Sequence, residues 1–201
     1  MTGLPAGDAR APDLVEAVIG YRQWRIHDGA LRSAYSDDRW QRGVNAARCH
    51  AADGGHAEGA PGQDCSCGIH AWYRPCPPLA SPATSTLVAG AVALWGEIEL
   101  HSSGMRAQYG MVVALVRPVL SRAKRRDVTR LAASLEVEVV PARLLQSVAL
   151  RHGSPVPPAL RPRPPVWSPA AEALAHGKEI PGPVWHPTSL MSGWQVRDRS
   201  R

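Results

Sequence analysis

All four cysteines of this chain fall between Cys49 and Cys76, and three of them form a Cys-x6-His-x8-Cys-x-Cys array with one histidine. The members of the array are Cys49, His56, Cys65 and Cys67. Structural zinc is held tetrahedrally by four thiolate or imidazole ligands, and the array supplies that number. The intervening residues are rich in Gly and Pro and poor in apolar side chains, so a hydrophobic core cannot order them. We therefore predict a structural zinc site at these four residues.

Other assignments of the cysteines are open from the sequence. His50, His70 or Cys76 lies close enough along the chain to replace one of the four ligands, and an iron site could use Cys76. The cysteines could also stay unliganded or form disulfides. The N-terminus lacks the basic, apolar and small-residue segments of a secretory signal. We therefore expect a cytoplasmic protein. Disulfides are rare in the cytoplasm, so the compartment disfavours that assignment of the cysteines.

One catalytic signature is partly matched. His56-Ala57-Glu58, followed by Cys65 and Cys67, imitates the His-x-Glu and Pro-Cys-x-x-Cys elements of zinc nucleobase deaminases. The second element here lacks both the Pro and the two-residue gap, and four soft ligands would close the position that a reacting water needs. No nucleophile, base and orienting residue stand together elsewhere in the sequence. We therefore expect a protein that is not an enzyme.

Charge is divided unevenly along the 201 residues, of which 44% are hydrophobic. Residues 1–120 carry 10 Lys/Arg and 11 Asp/Glu, whereas residues 121–201 carry 13 and 6, a net charge of +7. The C-terminal part therefore accounts for the basic character of the chain. No apolar run is long enough to cross a bilayer, so we expect no membrane association.

The elements that would position the cysteines begin with an alternation from Val15 to Tyr21, which predicts a strand that runs on through Trp24. Asp28-Gly29 predicts a tight hairpin turn after it. Short strands at 44–49 and 68–73 should flank the metal loop. These strands predict a small, mostly antiparallel sheet stapled by zinc.

Residues 87–116 predict a long hairpin in which each strand has one wet face, with Glu99 on one strand and Arg106 on the other. Pairing Leu100 with Ala107 keeps apolar residues together and predicts a loop of two or four residues centred on Ser103-Gly104. Trp95-Gly96 predicts a bulge.

Two helices should follow this hairpin. An apolar stripe from Val119 to Leu135 predicts the first, a strand follows at 137–140, and Pro141 should begin a second helix that ends near His152. The basic run on the first helix has two interpretations, a solvated face or a phosphate-binding face. A nucleic-acid surface would use Lys124, Arg125, Arg126, Arg130, Arg151, Arg161 and Arg163.

From Ser154 onward we predict disorder, because 10 of the 19 prolines lie between Pro155 and Pro187. This basic tail contains Pro-Val-Trp-x-Pro twice, around Trp167 and Trp185. Two such segments are typical of docking motifs for a protein partner, although chance in a Pro-rich composition is the alternative.

Three segments carry a resemblance to a known family: Cys65–Ala71, which reads Cys-Ser-Cys-Gly-Ile-His-Ala, Ala93–Glu97 with its Trp-Gly pair, and Gly104–Tyr109 with Gly-Met-Arg-Ala. They resemble an uncharacterised family of small actinobacterial proteins. Its members share an early Tyr-x-x-Trp, a Cys before a Gly-His pair, Cys-x-Cys-Gly-(Ile/Phe)-(Tyr/His)-Ala, and Trp-Gly before Gly-x-Arg-Ala. The earlier motifs are matched by Tyr21, Trp24, Cys49, Gly55 and His56.

The resemblance covers about Tyr21 to Pro141. It favours Cys49, His56, Cys65 and Cys67 over Cys76 as ligands, and it implies no activity.

The sequence thus predicts an α+β protein with a structural zinc loop and two C-terminal helices. We expect a disordered N-terminus at 1–12, a zinc-stapled domain at 13–153 and a disordered Pro/Trp-rich tail at 154–201. The function we expect is that of a non-enzymatic adaptor or regulator that binds a protein partner through its tail. Direct nucleic-acid binding is the alternative.

Overall fold

The computed structural model describes residues 16–34, 36–50, 59–62, 65–75, 87–119 and 121–162. Sheet dominates this part of the chain, with two short α-helices late in the sequence, and the coarse α+β prediction is confirmed. The strands and helices are β1 (Val18–His27), β2 (Ala30–Ser33), β3 (Arg39–Trp40), β4 (Asn45–Ala46), β5 (Ile69–Trp72), β6 (Leu87–Leu100), β7 (Gly104–Val116), α1 (Arg122–Leu135), β8 (Glu138–Val140), α2 (Leu145–Ala149) and β9 (Ser154–Pro155).

The first hairpin turns where the sequence predicts. His27 pairs with Ala30, which leaves Asp28 and Gly29 as a two-residue loop between β1 and β2. Both loop residues have positive φ, 50° at Asp28 and 66° at Gly29. Those angles match the right-handed twist of the strands, and Asp-Gly adopts them at low cost.

The loop of the long β6–β7 hairpin has two residues, one of the two predicted lengths, but it lies one residue earlier than predicted and the register differs. Leu100 pairs with Met105, and the His101 N–H donates to the Gly104 carbonyl at 2.8 Å, so Ser102-Ser103 forms the loop. The predicted pairing of Leu100 with Ala107 is wrong by two residues. A shift of two keeps every side chain on its own face, so alternation could not distinguish the two registers.

The predicted bulge in β6 is confirmed. The pairing with β7 shifts between Trp95 and Ile98, and Gly96 has φ of 77°. Beyond the bulge Glu99 lies directly opposite Arg106. The bulge therefore sets which acid faces which base at this end of the hairpin.

The central strands form a closed circuit of pairs. β1 pairs with β6 over residues 18–25 and with β5 through Tyr21 and Trp72, while β5 and β6 both pair with β7. All of these pairs are antiparallel, whereas β7–β8 and β1–β9 are parallel. The long strand β7 has β6 on one edge, and on the other edge it pairs first with β5 and then with β4, the two strands next to the cysteines.

Two apolar clusters stabilise this sheet. The larger contains Trp24, Leu94, Met105 and Leu115 and is covered by α1 through Val128, Leu131, Ala132 and Leu135. The second packs Ile19, Ala91 and Val113 against α2 through Leu145, Val148 and Ala149. Each helix therefore belongs to a different cluster.

The helices are shorter than the apolar patterns predict. Ser121 caps α1, its Oγ accepting from the Lys124 N–H at 3.2 Å, so Val119 lies before the helix and is 81% exposed. After Pro141 a 3₁₀ turn at Ala142–Leu144 precedes α2, which ends at Ala149. None of the helices in the described ranges is long and apolar enough to span a membrane.

The predicted start of the disordered tail, at Ser154, is too early. Residues 154–162, here called the return segment, come back to the sheet: Ser154 and Pro155 pair with β1, and Val156 is 1% exposed. Gly153 permits this approach, because a Cβ there would lie 2.1 Å from the Ala17 carbonyl oxygen. The Pro-rich composition hid one core residue, Val156.

Arg161 closes the return segment. Its guanidinium donates twice to the Val156 carbonyl, at 3.1 and 2.7 Å, and lies 4.7 Å from the centre of the Tyr73 ring. The compact unit that contains the sheet ends at this residue. The predicted disorder of residues 1–12 and 163–201 concerns segments outside the described residues.

Truncation tests this boundary. Deleting residues 154–201 should lower the free energy of unfolding in urea, because it removes the buried Val156 and the β9 pairing, whereas deleting 163–201 should leave it nearly unchanged. Val156→Ala alone should cost about 2 kcal/mol through the cavity it leaves. Equal stability of the two truncated proteins would contradict the role of the return segment.

Candidate metal centre

Three of the four predicted ligands lie together. The Sγ atoms of Cys49, Cys65 and Cys67 are all within 4.8 Å of one another, and those of Cys49 and Cys65 are 3.5 Å apart. Thiolates at corners of a zinc tetrahedron, each about 2.3 Å from the metal, are separated by about 3.8 Å. The spacing and the chemistry of the three donors therefore fit a metal ion, although they do not identify it.

The fourth predicted ligand, His56, lies outside the described residues, as does Cys76. The two described histidine alternatives bind elsewhere. His50 Nε2 is 2.8 Å from an Asp38 carboxylate oxygen, and His70 Nε2 is 2.7 Å from the Ser66 carbonyl oxygen. Burial lowers the pKa of His70 to about 3, so this ring is neutral at physiological pH. Neither histidine belongs to the three-cysteine group.

Residues 60–62 and 65–68, here called the cysteine loop, turn back on themselves. The Gly62 N–H donates to Cys67 Sγ at 3.2 Å, and the Cys65 N–H donates to the Gly62 carbonyl at 3.2 Å. Burial raises the pKa of the Cys67 thiol to about 11, so a metal must displace a proton to bind this sulfur at neutral pH. An N–H donor aimed at the sulfur favours the thiolate that metal binding would produce.

The buried side chain of Arg106 on β7 binds the cysteine loop. This residue is 4% exposed, and its guanidinium donates to three backbone carbonyls, those of Gly62 at 3.0 Å, Cys67 at 3.0 Å, and Cys65. A buried carbonyl without a donor destabilises the fold, and the planar fork of arginine can serve several at once. Arg106 therefore holds the backbone on both sides of Ser66.

Glu99 compensates the buried charge of Arg106. It lies opposite Arg106 in the β6–β7 register, and its Oε2 accepts from both Nε, at 2.9 Å, and a terminal nitrogen of the guanidinium. Its other oxygen is 3.2 Å from His101 Nε2. On the other side of β7, His70 pairs with Arg106. Residues of three neighbouring strands, β5, β6 and β7, therefore surround the guanidinium that binds the cysteine loop.

Cys49 reaches the cluster from β4, which pairs with β7 on the same edge as β5, further along the strand. Asn45 and Ala46 pair with Gly110 and Tyr109, and the Ala47 N–H donates to the Gln108 carbonyl at 2.7 Å. Cys49 follows two residues later. The single strand β7 therefore positions both segments that carry the sulfurs.

Arg106 and Glu99 were missed as site residues by the sequence analysis. Alternation correctly separates them from the core side chains, but it predicts a wet face, and for Arg106 that prediction is wrong. Polar residues alternate with apolar ones in a strand whether the polar face is exposed to solvent or covered by a polar loop, so alternation cannot distinguish the two cases. The sequence did carry one local signal. When Leu100 is paired with Met105, one of the registers that alternation allows, Arg106 lies opposite Glu99.

Several of the predicted nucleic-acid residues that the structure describes contact other groups of the domain. Arg125 donates to the carbonyls of Pro118, at 3.3 Å, and Val119, at 3.0 Å, while Arg151 lies 2.6 Å from Glu138. Arg161 is committed to the return segment. Burial lowers the pKa of Lys124, and Arg130 lies 4.0 Å from Asp127.

Arg126 is exposed on α1. Arg163, Trp167 and Trp185 lie outside the described residues. Neither docking through the tail nor phosphate binding is therefore tested by the geometry.

Comparison of the chain with protein-family models, with curated proteins and with solved structures finds no match. The resemblance to a small actinobacterial family stays a prediction.

The ligand assignment has a direct test. Replacing Cys49, Cys65 or Cys67 by Ser should abolish metal binding, because a hydroxyl is a poor substitute for a thiolate. We expect His56→Ala to do the same and Cys76→Ser to retain the metal, as measured by elemental analysis of the purified protein. Equal metal content in wild type and Cys65→Ser would contradict the site, and loss in Cys76→Ser with retention in His56→Ala would move the fourth ligand to Cys76.

The role of Arg106 can be separated from its charge. Arg106→Lys keeps the charge but loses the fork that reaches several carbonyls, so the free energy of unfolding should fall by about 2 kcal/mol or more. Zinc affinity in a chelator competition assay should fall with it, because the loop is less well ordered. Arg126→Lys, at an exposed helical position, is the matched control and should change neither quantity. Wild-type values for Arg106→Lys would show that the guanidinium does not order the loop.

Proposed function

We propose that this protein is a non-enzymatic, zinc-stabilised adaptor or regulatory protein that binds a protein partner through its C-terminal tail. The observation that supports the metal part is the convergence of three cysteine sulfurs within 4.8 Å of one another, two of them on the cysteine loop, whose backbone is held by Arg106. Three thiolates and the imidazole of His56 would complete a tetrahedral zinc site. Reduced thiols at such a site suit the cytoplasm.

A structural role for the metal is favoured over a catalytic one by the donor set and its surroundings. Four soft ligands leave no open position for a substrate or a reacting water. The charged groups next to the sulfurs are committed to the fold, because Arg106 donates to loop carbonyls and Glu99 accepts from Arg106. The metal would then hold the cysteine loop against β7, and its binding energy would contribute to folding.

The adaptor part rests on the two Pro-Val-Trp-x-Pro segments, at residues 165–169 and 183–187. Proline-rich peptides in general favour extended conformations before binding, so docking of such a segment would lose less entropy. A tryptophan that enters a partner pocket is typically among the few residues that dominate an interface. Two linked copies would add an effective-concentration gain to the affinity of either one.

Nucleic-acid binding is the second candidate, favoured by the net charge of +7 on residues 121–201 and by the exposure of Arg126. It is weaker because Arg125, Arg151 and Arg161 already bind carbonyls or a carboxylate within the domain. Contacts to phosphates would make binding fall steeply with salt, whereas docking of tryptophans would be salt-tolerant.

Partner capture by the full-length protein tests the proposal. Trp167→Ala and Trp185→Ala should each weaken capture of a partner protein by roughly 30-fold, about 2 kcal/mol, and the double variant should weaken it further. Trp194→Ala, outside the repeated motif, is the control and should bind as wild type does.

A second pair of substitutions distinguishes the candidates. Lys124→Glu with Arg126→Glu leaves the structural contacts of Arg125 intact and reverses charge on α1. If this pair abolishes capture, or capture is lost in moderate salt, while the Trp167/Trp185 double variant binds fully, the tail proposal is wrong and the basic helix is the binding surface.

A further inference from the structure

We propose that Cys49 and Cys65 are a redox modification site, at which a hydroperoxide converts the two thiolates to a disulfide and thereby releases the metal. This inference deepens the proposed function and rests on its metal site. It gives two of the proposed metal ligands a second covalent state, in which a disulfide joins Cys49 to Cys65 on the cysteine loop.

The two sulfurs are already in contact. Cys49 Sγ and Cys65 Sγ are 3.5 Å apart although 16 residues separate them in the chain. A disulfide bond is about 2.05 Å long, so the sulfurs must approach by about 1.5 Å, a movement that side-chain rotation and a small loop shift can provide. Both residues are half-buried, which leaves a route for an oxidant as small as hydrogen peroxide.

Cys67 is the less favourable partner for either of them. Its sulfur accepts the Gly62 N–H at 3.2 Å, a hydrogen bond that a move toward another sulfur would disturb. The carbonyls of Cys65 and Cys67 are both held by Arg106, so the backbone does not distinguish these two residues. A Cys65–Cys67 bond would close a small ring across one intervening residue and distort that backbone. Cys49 comes from a different segment, beyond β4, and closing toward Cys65 requires no such ring.

The chemistry balances with one peroxide. One thiolate attacks a peroxide oxygen and breaks the O–O bond, giving a sulfenic acid and hydroxide. The second thiolate attacks the sulfenic sulfur, forms the S–S bond and expels a second hydroxide. The two sulfurs together lose two electrons, the peroxide gains them, and two protons from solvent convert the hydroxides to water.

Metal release follows from the loss of donors. A disulfide sulfur carries no negative charge, so the site would keep only one cysteine thiolate, that of Cys67. The hydrogen bonds from Arg106 to the loop carbonyls involve no sulfur, and they remain in the oxidised form. Reduction by a dithiol therefore returns the three thiols to a preformed loop, and the change is reversible.

The full-length, zinc-loaded protein provides the test. Stoichiometric hydrogen peroxide should release one zinc per chain, detected with a chromogenic chelator, as the Cys49–Cys65 link forms. Trypsin leaves all four cysteines in one peptide, residues 49–106, because Pro75 blocks cleavage after Arg74, so cleavage after Glu58 is used to separate Cys49 from the other three before mass spectrometry without reductant. Dithiothreitol and added zinc should restore both the thiols and the metal.

Variants identify the linked pair. Cys67→Ser should still form the link across Glu58, whereas Cys49→Ser and Cys65→Ser should not, and Cys76→Ser should behave as wild type. A link that persists in Cys65→Ser, or oxidation to sulfinic acids without a link, would overturn the inference. Retention of zinc after the link has formed would overturn it as well.

Failure of the metal site itself would appear earlier and separately. Elemental analysis before peroxide is added decides whether the protein binds zinc. A metal-free wild type would refute the zinc site and the release step, while a metal-bound protein that resists peroxide would refute only the redox inference.

Discussion

The candidate metal centre depends on one buried cation. Arg106 is almost fully covered, and a buried guanidinium is tolerated only when its donors are used and its charge is compensated. The cysteine loop supplies the acceptors and Glu99 supplies the charge. The dependence is mutual. The loop has little apolar surface, so the hydrogen bonds from Arg106 order its backbone, and the loop carbonyls in turn satisfy the donors of the buried guanidinium. Metal, loop and sheet are thus linked through one side chain.

The sheet provides what this interaction requires. Glu99 can face Arg106 only because the bulge near Gly96 and the two-residue loop at Ser102-Ser103 set the register between them. The same strand, β7, pairs with both β4 and β5 along the edge that faces away from β6. The segment before Cys49 and the segment after Cys67 are therefore anchored side by side on one strand, which brings the three sulfurs together. The closed circuit of β1, β6, β7 and β5 keeps this support rigid.

The sequence predicted features of short segments better than it predicted contacts between distant segments. Asp28-Gly29 and the cluster of Cys49, Cys65 and Cys67 were predicted correctly because a turn and a ligand set are properties of short segments. The β6–β7 register was missed because alternation is unchanged by a shift of two residues. The burial of Arg106 and of Val156 was missed for a shared reason, because each depends on a segment whose own composition resembles that of a solvent-exposed loop. The cysteine loop covers Arg106, and the return segment carries Val156 to the sheet. Which segment covers which face is decided by tertiary contacts.

The order of elements in the chain also fixes the order in which the centre can assemble. The three sulfurs belong to residues 49–67, but their support, Glu99 and Arg106, is synthesised later, and β1 receives its β9 partner only when residues 154–155 have been made. Pairings this distant in sequence form slowly, since the loops between them must first be closed. A growing chain therefore presents its thiols before it possesses the arginine that orders them.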